Sequence, residues 1–229
     1  MPLFFKDKPG AGIDEDAPPL KGARRFFQIL QLDFFDLVKL NLIFYLFCIP
    51  IITIPASYCA MTRVVVNMVR DRPCFLWHEF WKTFRSEFKR ATLAGILLIA
   101  GLAASAAAIV YYANLISSDG IYWALAAFPV IGATLLFFMS FSLFPMIALI
   151  DLPLKELVKN AWLLISVSVF RYILASLVCI FFMVIGFLLF PLSFVPALLI
   201  YPSLFTLVTV FSAYAGIGKY VLRVPLMRE

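Results

Sequence analysis

The stretch CIPIITIPASYCAMTR, residues 48–63, decides how this chain is folded. It lies in an apolar run, 40–62, long enough to cross a bilayer once, and it puts Pro50 and Pro55 in the middle of that run. Proline gives up a backbone donor and restricts the residue before it, so a close pair suits a break better than a helix interior. The run reads either as one span or as a hairpin. In the hairpin, residues 41–50 enter, 51–54 turn and 55–69 return.

The positive charges choose between the two. Of the 19 Lys and Arg, six fall in residues 1–39, seven in 63–90, three in 151–171 and three in 219–229. The connections 114–120 and 191–193 hold none. Four further stretches, 91–113, 121–150, 172–190 and 194–218, contain no Lys, Arg, Asp or Glu. A single crossing at 40–62 separates the six N-terminal cations from the other thirteen, whereas a hairpin keeps all nineteen on one side. Cytoplasmic loops carry the Lys/Arg excess, which favours the hairpin.

The expectation is an all-α, multi-pass protein of the cell membrane with six membrane segments and both termini cytoplasmic. A tail, 1–19, precedes a single membrane domain, 20–222, and a second tail, 223–229, follows it. Hairpin arms of about 15 residues reach roughly 22 Å, short of the ~30 Å hydrocarbon thickness. The first pair is therefore a short Pro-broken hairpin, fully spanning or re-entrant. Arg63 falls within the membrane's depth, where a partner subunit could cover it.

Composition agrees. Of 229 residues, 64% are hydrophobic and 14% charged, with mean hydropathy +1.00; a soluble domain carries about 25% charged residues. No sizeable soluble domain fits in the remainder. The net charge of +6 is read as topology and contact with anionic lipid rather than nucleic acid. Cys48, Cys59, Cys74 and Cys179 match no zinc spacing and read as small apolar side chains. The mixed-charge stretch with Asp14, Glu15 and Asp16 does not read as a signal peptide.

Three amphipathic segments recur, one before each expected hairpin. Residues 75–91, FLWHEFWKTFRSEFKRA, put Trp77, Phe80, Trp81, Phe84, Phe88 and Ala91 on one face and His78, Glu79, Lys82, Arg85, Lys89 and Arg90 on the other. This reads as an interfacial helix, aromatics at the acyl boundary and cations at the headgroups. In 154–165, Leu154, Leu157, Val158, Ala161, Trp162 and Ile165 oppose Lys155, Glu156, Lys159 and Asn160. In 21–35, Lys21, Arg24, Arg25, Gln28 and Gln31 oppose Ala23, Phe27, Leu30 and Phe34. The chain thus reads as a possible threefold repeat of interfacial helix plus hairpin. The candidate lipid or partner contacts are Arg63, Trp77, Trp81, Lys82, Arg85, Lys89, Arg90, Lys155 and Lys159.

Chemistry-bearing motifs are sparse. The single histidine, His78, stands in a charged face without the positioned partner a general base needs. No H-E-x-x-H, G-x-S-x-G or P-loop pattern occurs. The reading names no catalytic, cofactor-binding or metal-binding residue and expects no enzyme. The uncharged stretches offer mainly Ser105, Thr134, Ser140, Ser142, Ser176, Thr206 and Thr209 as polar lining, a thin path for a hydrated solute.

Three stretches in order, NLIFYLFCIPIITIPASYCAM (41–61), FWKTFRSEFKRAT (80–92) and FPMIALIDLPLKELVKNAWLL (144–164), resemble the YesL-like family of bacterial membrane proteins, a domain of unknown function. The resemblance covers residues from about 20 to 222. Members accompany carbohydrate importers of the ATP-binding-cassette type, mainly in Gram-positive bacteria. The resemblance thus implies an accessory subunit in sugar transport, associated with permease subunits. The segment DLPLKELVKNAW (151–162) has Glu156 but lacks the alanine pair and glycine of a permease's ATPase-docking helix, so an extra subunit fits better than a permease. A self-sufficient channel or carrier, and a scaffold unrelated to sugar, are the alternatives.

Overall fold

A computed structural model of the chain describes residues 23–70, 75–115, 121–190 and 194–217. The two tails, most of the 114–120 connection with Asp119, and Cys74 lie outside the described residues. All regular structure among the described residues is helical: α1 (Ala23–Leu32), α2 (Phe34–Cys48), α3 (Ile54–Val69), α4 (Leu76–Leu115), α5 (Ile121–Leu149), α6 (Leu154–Leu188) and α7 (Phe194–Gly216). Four segments, Ile51–Val69, Leu76–Leu115, Tyr122–Leu149 and Leu154–Leu188, are long and apolar enough to cross a membrane, and Leu198–Tyr214 is a shorter apolar helix.

The prolines of the opening stretch act at helix ends. α2 stops at Cys48, Pro50 is extended (φ −79°, ψ 117°), a 3-10 turn occupies Ile51–Thr53, and Pro55 sits in the first turn of α3. Two hydroxyls look after a carbonyl that the break strands: Thr53 Oγ1 donates to Phe47 O at 2.5 Å and Ser57 Oγ at 3.3 Å. A helix end leaves such carbonyls without backbone donors. The turn falls where the sequence puts it, but α2 begins at Phe34, seven residues before the expected arm.

α3 is the centre of the molecule rather than one arm of an isolated hairpin. Every residue from Pro55 to Val69 is buried except Tyr58 and Arg63, which are half-buried. It packs against α2, α4, α5 and α7. The cover that the sequence left to a partner subunit is supplied by the chain itself.

Two of the expected interfacial helices are not separate elements. α4 is one helix of 40 residues, about 60 Å at 1.5 Å per residue, and contains both 76–91 and the uncharged 91–113. No Gly or Pro lies between Leu76 and Ala94, so nothing terminates the helix where the composition changes. α6, 35 residues, likewise joins the 154–165 segment to the uncharged one, with a kink at Ser168 (φ −116°, ψ 17°) close to the handover.

The apolar faces of these segments are largely covered by protein. Phe80 is fully buried, and Phe84 and Phe88 pack on the core. The Phe47 ring lies 5.0–5.9 Å from Trp77, Phe80, Trp81 and Phe84. Leu157, Ala161, Leu164 and Ile165 of α6 are buried too. In α1 the inward face is turned from the expected one: Arg25 and Ile29 are buried while Phe27 is exposed. The reason is polar. Arg25 Nη2 donates to Met68 O at 3.1 Å, near the carboxyl end of α3, and Nη1 to Gln28 Oε1 at 2.7 Å.

Depth can be read along α4. A Cβ on Gly95 would collide with Cβ and Cγ of Pro55, so the start of α3 packs directly on the α4 backbone there. α4 runs on for twenty residues beyond that contact, to Leu115, about 30 Å. The hairpin tip thus meets α4 only four residues after Ala91, where the uncharged stretch begins. At the tip, Ile49, Ile51 and Ile52 are 77%, 81% and 62% exposed.

Candidate functional site

Two polar arrangements stand out in this apolar chain. One is a splint across a broken helix. Pro202 lies inside α7, where it cannot donate to the preceding turn. Asn41 of α2, fully buried, braces the next pair of groups along the helix: its Nδ2 donates to Leu199 O at 2.5 Å, and its Oδ1 accepts from the Ser203 N–H at 2.9 Å. The side-chain amide stands in for a peptide group. Nδ2 also donates to Ser203 Oγ at 2.9 Å. This site fixes α2 to α7 and exposes no group for chemistry.

The other is an open cavity of about 170 Å³ between α3, α4 and the carboxyl end of α5. Its polar lining comes from Arg63 on α3, from Glu79, Lys82, Thr83, Ser86, Glu87 and Arg90 on α4, and from Asp151 beyond α5. The α4 residues share one side because they recur at three- and four-residue spacing. Arg63 Nη1 donates to Ala148 O at 2.8 Å, a carbonyl in the last turn of α5. Arg90 contacts Glu87 at 2.5 Å and Asp151 at 2.8 Å, and donates to Leu152 O at 3.0 Å. Two arginines therefore meet the turn that joins α5 to α6, and Arg25 does the same for α3. Cations are favoured at helix carboxyl ends, where unpaired carbonyls and the macrodipole both present negative potential.

The candidate contact residues divide. Arg63, Lys82 and Arg90 come together at the cavity. Trp77 and Trp81, 54% and 40% exposed, flank the Phe47 ring, and the Arg85 guanidinium sits 5.8 Å from the Trp81 ring centre. Arg85 and Lys89 are exposed, as are Lys155 and Lys159 at the start of α6. The sequence reading missed Asn41, Thr83, Glu87 and Asp151. The i,i+3 pair Glu87–Arg90 is visible in the sequence; Arg90–Asp151 and Asn41–Ser203 join distant positions and carry no local signal.

Chemically the cavity is balanced, with Arg63, Lys82 and Arg90 facing Glu79, Glu87 and Asp151. The spare capacity is uneven. Arg90 occupies Glu87 and Asp151, while among the described residues Glu79 accepts a side-chain bond only from Asn67 Nδ2, at 3.4 Å. Thr83 is 7% exposed, and its hydroxyl has no hydrogen-bond partner among the described residues.

No curated protein and no solved structure matches the chain. Residues 37–116, which run from α2 to the end of α4 and carry all the cavity's α3 and α4 residues, match the model of the family described as protein of unknown function, DUF624, in agreement with the YesL-like resemblance of the sequence.

Proposed function

We propose that the protein is a non-enzymatic membrane subunit that assists a carbohydrate importer of the ATP-binding-cassette type rather than moving solutes by itself. One observation carries the second half of this reading. All seven hydroxyls that the sequence offered as polar lining donate within their own helices: Ser105 to Gly101 O, Thr134 to Val130 O, Ser140 to Phe137 O, Ser142 to Met139 O, Ser176 to Ile173 O, Thr206 to Pro202 O and Thr209 to Thr206 O. A hydrated sugar must exchange water for protein hydrogen bonds, and donors already committed offer it little. The importer as partner rests on the family resemblance alone, an associational argument.

In the bilayer we place α4 to α7 as the crossing helices and α2–α3 as a re-entrant pair, six membrane segments in all. The exposed isoleucine tip supports this, because such a tip is at home in hydrocarbon and costly in water. Both chain ends then lie on the cytoplasmic side with the arginine-capped helix ends. The exposed Arg85, Lys89, Lys155 and Lys159 face anionic headgroups. The three amphipathic segments keep a common place in the order of elements, as in a threefold repeat, but two of them are the inner halves of spanning helices.

Reconstitution and mild extraction test the reading. Purified protein in sealed vesicles should leave sugar permeability at the level of empty vesicles, and gentle detergent should recover it with two permease subunits. Sugar flux through the isolated protein supports the carrier alternative instead. Recovery always without permeases, and without flux, supports the scaffold.

A further inference from the structure

We infer that the cavity between α3, α4 and the α5 carboxyl end binds the headgroup of a phospholipid that carries both a phosphate and a primary amine. The inference rests on the membrane placement given above and adds the ligand class. Depth is the first argument. The cavity lies where α4 passes from the charged 82–90 to the uncharged 91–113, and where α5 ends in Ile150 and Asp151. Both helices change from apolar to charged at this level, which is where headgroups lie.

Unused hydrogen-bonding capacity is the second argument. A guanidinium has five N–H donors, and among the described residues Arg63 spends one, on Ala148 O. Lys82 makes no hydrogen bond or ion pair among the described residues. Thr83 lines the same cavity, and its hydroxyl makes no hydrogen bond among the described residues. These three supply donors for phosphate oxygens, and charge-assisted bonds of this kind are strong. Opposite them, Glu79 has no closer donor among the described residues than Asn67 Nδ2 at 3.4 Å. An ammonium group with N–H donors supplies one.

The balance of charge narrows the class. With Glu87 and Asp151 held by Arg90, a purely anionic headgroup would leave Glu79 without a donor, and a quaternary amine has no N–H to give it. Phosphatidylethanolamine presents both partners. Exposed cations elsewhere attract anionic lipid through charge alone, so the two modes differ in which headgroup they prefer.

Native mass spectrometry of the full chain, released from detergent with equal amounts of phosphatidylethanolamine, phosphatidylcholine and phosphatidylglycerol, tests this directly. The ethanolamine lipid should be retained over the choline lipid by about tenfold, the affinity scale of one charge-assisted bond. Glu79→Gln should bring the two to parity and raise phosphatidylglycerol retention, because it removes the carboxylate that an anionic headgroup leaves unserved. Lys82→Gln, at an exposed position, should weaken retention of both zwitterionic lipids. Soluble phosphoethanolamine should compete only weakly, because it lacks the acyl chains. Equal retention of the choline and ethanolamine lipids by the unaltered chain, or an ethanolamine preference that survives Glu79→Gln, overturns the proposal. Competition by soluble phosphoethanolamine as strong as by the lipid overturns the lipid as occupant. Failure here with the expected membrane topology intact counts against the ligand, not the placement.

Discussion

The two ends of this helical bundle are built on different principles. At the end that holds α3, the chain covers itself: α3 is enclosed, Phe47 fills the gap between the α4 aromatics, and arginines occupy helix carboxyl ends. At the other end, α4 beyond Gly95 and α6 beyond Ser168 turn large apolar side chains outward, among them Leu97, Ile99, Val110, Leu174, Phe181 and Phe187. The first end resembles a small soluble core set among charged side chains. The second has the apolar exterior that a bilayer would solvate. On the proposed placement, the α2–α3 pair fills the charged end of the bundle and dips only its isoleucine tip into hydrocarbon.

Two glycines probe the contrast, one at each end. Gly95→Val should be the most damaging single change, because the new carbons meet the stiff Pro55 ring. We expect a loss of about 3 kcal/mol, at the upper end of overpacking costs, read as a lower midpoint of thermal unfolding in mild detergent. An unchanged midpoint would break the direct contact between α3 and α4.

The Asn41 splint comes next. Asn41→Leu removes the hydrogen bonds to Leu199 O, the Ser203 N–H and Ser203 Oγ, a cost of about 2 kcal/mol. In a Pro202→Leu background, residue 202 regains an N–H for Leu198 O, the turn closes so that the Ser203 N–H can serve Leu199 O, and the same substitution should cost less than half as much. A double-mutant cycle measures this coupling; strictly additive effects would mean that Asn41 does not serve the proline break.

The mildest change is predicted at the far end. A Cβ on Gly132 meets nothing nearer than Ser105 Oγ, at 3.9 Å. Gly132→Ala should therefore stabilise α5, by up to about 1 kcal/mol, the helix preference of alanine over glycine. Destabilisation there would show that the far end is as tightly packed as the near one.

These sites also show what the sequence could and could not reveal. Pro50 and Pro55 announce the hairpin locally, and α3 begins and ends within one residue of the expected return arm. The uncharged stretches mark the cores of α4 to α7 for the same reason: hydropathy is a property of consecutive residues. Fusion of 75–91 with 91–113 into one helix was hidden, since composition changes there without any helix-stopping residue. The face each segment buries was misjudged wherever a long-range polar contact outweighed periodicity, as at Arg25 with Met68. The cavity was legible only in part. Arg63, Lys82 and Arg90 are conspicuous charges beside apolar sequence, but Ala148 and Asp151 reach them only through the tertiary fold.

The central claim is that the chain enters the bilayer at the first hairpin and returns without crossing it. Cysteine labelling in intact cells tests this most directly, using Ile51→Cys in a background without native cysteines, with Ser118→Cys and Gly10→Cys as references. Ile51 is 81% exposed, so a thiol there reacts readily if its surroundings are water. The account predicts that an impermeant maleimide labels position 118 and leaves positions 51 and 10 unlabelled. Labelling of position 51 from outside would mean a hairpin that crosses completely, and labelling of position 10 would mean a single span; either result contradicts the account.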